Sequence, residues 1–144
     1  MTIKVLIIDD DPAMVEILEI NLSGYGMETL SAGNGDIGAK LALTENPDVI
    51  LLDLIMPGKD GWDVCKAIRK SSKAPIAILS ALSDPGIISS ALDAGADDYL
   101  VKPITNSMLV AHINKLARRA HAESNPRGML GHMSIVLESS PVQP

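Results

Sequence analysis

The chain has no phenylalanine, and Trp62, Tyr25 and Tyr99 are its only aromatic residues. Without interleaved aromatics there is no platform on which single-stranded bases could stack. Cys65 is the sole cysteine, which excludes an internal disulfide and a cysteine-based zinc site. His112, His121 and His132 stand apart and give no histidine metal motif. No apolar run approaches the roughly 20 residues needed to span a bilayer, and no basic region precedes a signal-like segment. The expectation is therefore a soluble, cytoplasmic protein with no membrane contact. Basic residues are also short, 12 Lys and Arg against 18 Asp and Glu, so the formal charge of -6 opposes binding to nucleic acid through bulk electrostatics.

What the chain does have is a core and a rhythm. Its 144 residues are 47% hydrophobic, enough for one globular domain. Apolar, β-like runs recur at Ile3 to Ile8, Met27 to Leu30, Val49 to Leu52, Ile76 to Leu79, and Tyr99 to Val101. Several lack polar alternation, as expected of parallel strands covered on both faces. Helical stripes lie between and after them: Met14, Ile17, Leu18 and Leu22; Ile37, Leu41 and Ala42; Val64, Cys65, Ile68 and Arg69; Ile87, Ile88, Ala91 and Leu92; and Leu109, Ile113, Leu116 and Ala117. Asp11 suits the N-cap of the first helix, with Pro12 at its first position. Strand then helix, five times over, predicts right-handed crossovers and a three-layer α/β sandwich. This domain is expected to cover residues 1–122. Residues 123–144 read as a linker or tail, with Met133 to Leu137 as either a flexible end or the opening strand of a truncated effector domain. Gly131-His132-Met133 could instead be a junction left by cloning.

In open α/β sheets, ligands bind where strands deliver their carboxyl ends. Asp9, Asp10 and Asp11 follow the first run, Asp53 follows the third, Ser80 ends the fourth, and Lys102 follows the fifth. Two unit charges about 4 Å apart repel by roughly 4 kcal/mol at an effective dielectric near 20, so such a cluster calls for a cation. Oxygen ligands without His or Cys favour Mg²⁺. An acidic pair after a strand is by itself weak, since solvated loop acids are equally common. A carboxylate nucleophile, a metal, an ammonium and a hydroxyl together suit phosphoryl transfer.

Four segments carry a resemblance: Val5 to Pro12, Asp48 to Gly61, Ile78 to Ala81, and Gly95 to Pro103. In this order and spacing, residues 3–120 resemble the receiver domain of two-component response regulators. The resemblance implies a flavodoxin-like (βα)5 sandwich with parallel sheet order 2-1-3-4-5, a fold for which a receiver is one of the standard examples. It implies that Asp53 is the phosphoacceptor and that Asp10 binds Mg²⁺ directly, with Asp9 binding through water and Ile55 through its backbone carbonyl. Lys102 and Ser80 would stabilise the phosphoryl group, Ser80 and Tyr99 would act as the switch, and Lys102-Pro103 would be cis. It further implies a sensor histidine kinase or phosphotransfer protein as donor, no catalytic activity beyond the domain's own phosphorylation and dephosphorylation, and a homodimer on activation. Asp97-Asp98 and Arg118-Arg119 fall on the face of the fourth helix, fifth strand and fifth helix and suggest intermolecular salt bridges in that dimer, the alternative being exposed charges with no partner. Ile104 departs from the family's usual Phe, and Met108 from a Glu that would complete a capping box with Thr105.

Ile55 and Leu82 would flank the phosphoryl group with apolar cover, predicting slow loss of phosphate. A haloacid dehalogenase-type phosphatase would carry a second Asp at position 55, and a flavodoxin-type carrier would not place three acids where flavin phosphate binds. Two outputs stay open. One is the receiver half of a winged-helix transcription factor, whose absent effector domain would supply any DNA contact. The other is a stand-alone receiver acting in a phosphorelay or docking on a partner protein.

Overall fold

The computed structural model describes residues 2–58 and 60–124. The elements alternate from β1 (Lys4–Ile8) and α1 (Pro12–Gly24) through β2 (Glu28–Ala32), α2 (Gly35–Thr44), β3 (Val49–Leu52) and α3 (Gly61–Arg69). They continue with β4 (Ile76–Ser80), α4 (Pro85–Asp93), β5 (Asp98–Val101) and α5 (Asn106–Ser124). All strand pairs are parallel and the sheet order is β2-β1-β3-β4-β5, the flavodoxin-like order expected. No helix among the described residues is long and apolar enough to cross a membrane.

Successive strand residues point to opposite faces, and here both faces are buried. Val5, Ile7, Val49, Leu51, Ala77, Leu79 and Leu100 pack with Leu18 and Leu22 of α1 and Leu109, Ile113 and Leu116 of α5. Leu6, Ile8, Ile50, Leu52, Ile76 and Ile78 pack on the other side with Ala42 of α2, Val64, Cys65 and Ile68 of α3, and Ala91 of α4. Two cores share one sheet, which is why the central strands β1, β3 and β4 read as apolar nearly without interruption.

Caps fall where short polar side chains precede each helix. Asp11 accepts from the Ala13 N–H, Asn34 from Ile37, Asp60 from Asp63, and Asp84 from Gly86. Thr105 accepts from the Met108 N–H at 3.2 Å, so α5 keeps half of a capping box without the Glu. Helix α5 runs through Glu123 and Ser124, two residues expected to lie in the linker. Nothing in Ala122-Glu123-Ser124 breaks a helix, and the first breaker is Pro126. The strand expected at Met133 to Leu137, the rest of the linker and the junction at 131–133 lie outside the described residues.

Candidate functional site

The alternation that builds the two cores also builds the site. Continued past the strand ends, it carries Ile7 to Asp9, Leu51 to Asp53, and Leu100 to Lys102, all on the face covered by α1 and α5. Ile7 is paired with Leu51 across the ladder, so the two aspartates that follow are neighbours. The Asp9 N–H donates to the Ala32 carbonyl at 3.1 Å and the Asp53 N–H to the Ile8 carbonyl at 3.0 Å, fixing both at the sheet edge. The Lys102 N–H donates to the Ser80 carbonyl at 2.8 Å and brings the lysine into line.

Carboxylate oxygens of Asp9, Asp10 and Asp53 lie within 4.8 Å of one another. Lys102 Nζ stands 3.8 Å from Asp53 Oδ2 and 3.9 Å from Asp9 Oδ2, too far for a direct hydrogen bond to either. Among the described residues, three carboxylates face one ammonium (-3 + 1), a net charge of about -2. Asp9 is only 5% exposed, and its pKa is raised above the ordinary carboxylate value, chiefly by desolvation. The Asp11 N–H, donating to Asp9 Oδ1 at 3.0 Å, opposes that shift, Asp53 and Asp10 add to it, and Lys102 works against it. Asp11 turns away as the cap of α1, as expected. An excess of anionic oxygen donors, one of them buried, fits a hard divalent cation such as Mg²⁺.

The loop after Asp53 is shaped by backbone contacts. Asp53 Oδ1 accepts from the Ile55 N–H at 3.1 Å, while the Ile55 side chain is 56% exposed. The Gly61 N–H donates to the Leu54 carbonyl at 3.0 Å, and a Cβ at Gly61 would fall 2.5 Å from Leu54 Cα. Only glycine lets the start of α3 approach the acceptor loop this closely.

Ser80 belongs to the opposite parity, the face of Ile78, and is fully buried. Its Oγ accepts from the Leu82 N–H at 3.2 Å, and the Tyr99 hydroxyl donates to the Leu82 carbonyl at 2.7 Å. The peptide groups of Leu82 thus join Ser80 to Tyr99. The sequence marks both side chains but carries no signal for a connection made through backbone atoms. Lys102-Pro103 is cis, as expected.

Of the four residues expected to make intermolecular salt bridges, Asp97, Asp98 and Arg119 have partners within the chain. Asp97 is held within the chain by Arg69 Nη2 at 2.6 Å and the Ile76 N–H at 2.9 Å, with Arg119 more distant at 3.5 Å. Asp98 Oδ2 lies 2.7 Å from His112 Nδ1, and Arg118 is exposed. Arg69 and His112 are thus the functional neighbours that sequence reasoning missed. The sequence puts Arg69 at the end of the α3 stripe, where its charge is the available signal.

Residues 5–114 match the response regulator receiver domain. The chain is 38% identical over 137 residues to the transcriptional regulatory protein AfsQ1 of Streptomyces coelicolor, covering 95% of this chain and 60% of that protein. It is 39% identical over 132 residues to the DNA-binding response regulator MtrA of Mycolicibacterium smegmatis, covering 92% of this chain and 58% of the relative. It therefore spans about three-fifths of the length of these relatives. Among solved structures, the receiver domain of Francisella response regulator 1452 superposes with a TM-score of 0.78 at 35% identity, covering 83% of this chain and 99% of that one. With the sheet order and the strand-end carboxylates already in place, the match over 5–114 puts this chain in the response regulator receiver family of two-component signalling.

Proposed function

We propose that the chain is a phosphorylation-driven switch in which Asp53 accepts a phosphoryl group from a sensor histidine kinase or phosphotransfer protein. The observation that carries this reading is the convergence of Asp9, Asp10 and Asp53 within 4.8 Å, with Lys102 as the nearby cation. An Asp53 carboxylate oxygen attacks phosphorus, and the O–P bond forms as the N–P bond of the donor phosphohistidine breaks. Asp10, Asp53 and the Ile55 carbonyl would hold Mg²⁺ directly and Asp9 through water. When bound, that ion neutralises charge on the cluster and on the transferred phosphoryl oxygens. Lys102 moves from its loose position between Asp9 and Asp53 to pair with those oxygens, and the Ser80 hydroxyl donates to one of them.

Engaging Ser80 acts on the Leu82 peptide and hence on Tyr99, which biases the face made by α4, β5 and α5. Shifting that equilibrium from 1:99 to 99:1 takes about 5.5 kcal/mol of differential interaction, within the range of a few charge-assisted contacts. The face then receives a second copy of the chain. We assign the output to transcription, in the cytoplasm, with residues 1–122 as receiver and 123–144 leading to an effector domain that would make any DNA contact. The match to AfsQ1 supports this assignment. It leaves at most seven of the 144 residues unmatched (144 - 137) and so reaches at least residue 137, beyond the receiver.

Acetyl phosphate with Mg²⁺ should add one phosphoryl group, read by intact mass. Asp53→Asn should remain unmodified, as should wild type in EDTA. Labelling of Asp53→Asn at the wild-type rate would overturn the assignment.

A further inference from the structure

Strand β5 is an edge of the sheet. Helix α4 (Pro85–Asp93) holds no Lys, Arg or His, and Leu92, Val101 and Met108 expose 42%, 37% and 51% of their surface. The two β5-side carboxylates are satisfied within the chain, but by unlike partners. Asp97 is compensated by guanidinium groups that stay charged at any relevant pH, Arg69 at 2.6 Å and Arg119 at 3.5 Å. Asp98 is compensated by His112, 2.7 Å away, with side-chain exposures of 22% and 25%. Histidine changes charge between about pH 5 and 8. The His112–Asp98 pair is therefore neutral overall when the imidazole is protonated and anionic when it is not.

We propose that protonation of His112 in its contact with Asp98 licenses packing of the α4–β5–α5 face against a second copy of this chain. The inference rests on the reading of that face as the dimer contact and adds its control. Two identical faces meeting around a symmetry axis bring two Asp98 carboxylates out of water. A covered carboxylate without a cationic partner is costly, whereas a hydrogen-bonded pair of opposite charges is far less so. Association is consequently coupled to proton uptake and tightens as pH falls. Charged groups elsewhere on these elements include Asp93 on α4, Asp97 and Lys102 flanking β5, and Lys115, Arg118 and Arg119 on α5. Tyr99 is tied to the Leu82 carbonyl, and His121 contacts Asp48 at the amino end of the central strand β3.

Sedimentation velocity of the whole chain, saturated with beryllofluoride and Mg²⁺ as monitored by fluorine NMR, should give a dimer at least about fivefold tighter near pH 6 than near pH 8. His112→Arg, with a fixed charge, should dimerise equally at both. Asp98→Asn, which removes the anion, should also lose the dependence, and thermal melting establishes that each variant is folded. A wild-type dissociation constant that does not change with pH would overturn the proposal while leaving the dimer reading intact. Absence of a dimer in all three proteins at both pH values would sink the dimer reading and the proposal with it.

Discussion

The two edges of the sheet treat charge in opposite ways. At the amino edge, Asp48 accepts from the Lys4 N–H at 2.7 Å and contacts His121 at 2.9 Å, while Lys4 Nζ donates to the Glu45 carbonyl at 3.0 Å. Arg69 is used fully there, donating to the carbonyls of Gly95, Ser72 and Ala74 as well as to Asp97. At the carboxyl edge, among the described residues, three carboxylates face one ammonium that sits 3.8 Å from Asp53 and 3.9 Å from Asp9. One edge is satisfied by the chain itself and holds the strands in place. The other, among the described residues, is left short of positive charge. A domain that must be rigid as a scaffold and responsive at one point can keep these demands apart by placing them at opposite ends of the same strands.

The contrast can be broken most forcefully at its rigid end. Arg69→Ala removes four hydrogen bonds and strips Asp97 of its closest cation, and should cost about 2–3 kcal/mol of stability in urea unfolding. Once folded, that variant should still take phosphate from acetyl phosphate. At the responsive end, Asp10→Asn should weaken Mg²⁺ binding at least tenfold, about 1.4 kcal/mol, by calorimetry while leaving stability in metal-free buffer nearly unchanged. Replacing both Ile55 and Leu82 by polar residues should shorten the lifetime of the phosphorylated state about fivefold, or ~1 kcal/mol, because water then reaches the phosphoryl group more readily.

The smallest effect concerns Asp9. Its folded-state pKa is raised by burial, so between the ordinary and the raised value the folded chain binds more protons than the unfolded one. Stability therefore falls as pH rises through that window and stays lower above it. Asp9→Asn should be slightly more stable than wild type at pH 7 without metal and should match it at acid pH. Added Mg²⁺ should narrow the gap by stabilising only the wild type.

The central strands were legible because burial on both faces leaves a nearly unbroken apolar run, and the site was legible because its side chains stand at or just beyond the strand ends. Helix faces were harder to read. Ile17 belongs to the apolar stripe of α1 yet is 53% exposed, and Leu92 of α4 is 42% exposed. A helical stripe tells which residues share a side, not how far the neighbouring element extends over it. The partners of Asp97 and Asp98 were illegible for a related reason. Arg69 and Asp97 are 28 positions apart, and a charge on a helix end does not announce which loop will come to it. Bonds made by the peptide groups of Leu82 have no side-chain signature at all.

The parity of the strands also constrains how such a chain can change. Asp9, Asp53 and Lys102 face one another because each stands two residues beyond a core residue of the α1 and α5 side. Deleting one residue between Leu51 and Asp53 would turn the acceptor to the far side of the sheet, toward α3 and α4, with the strand otherwise intact. Insertions after Leu54 would leave the acceptor facing Lys102. Length variation in descendants of this sequence is therefore expected in the loops beyond the acceptor, while the three strand ends keep their count.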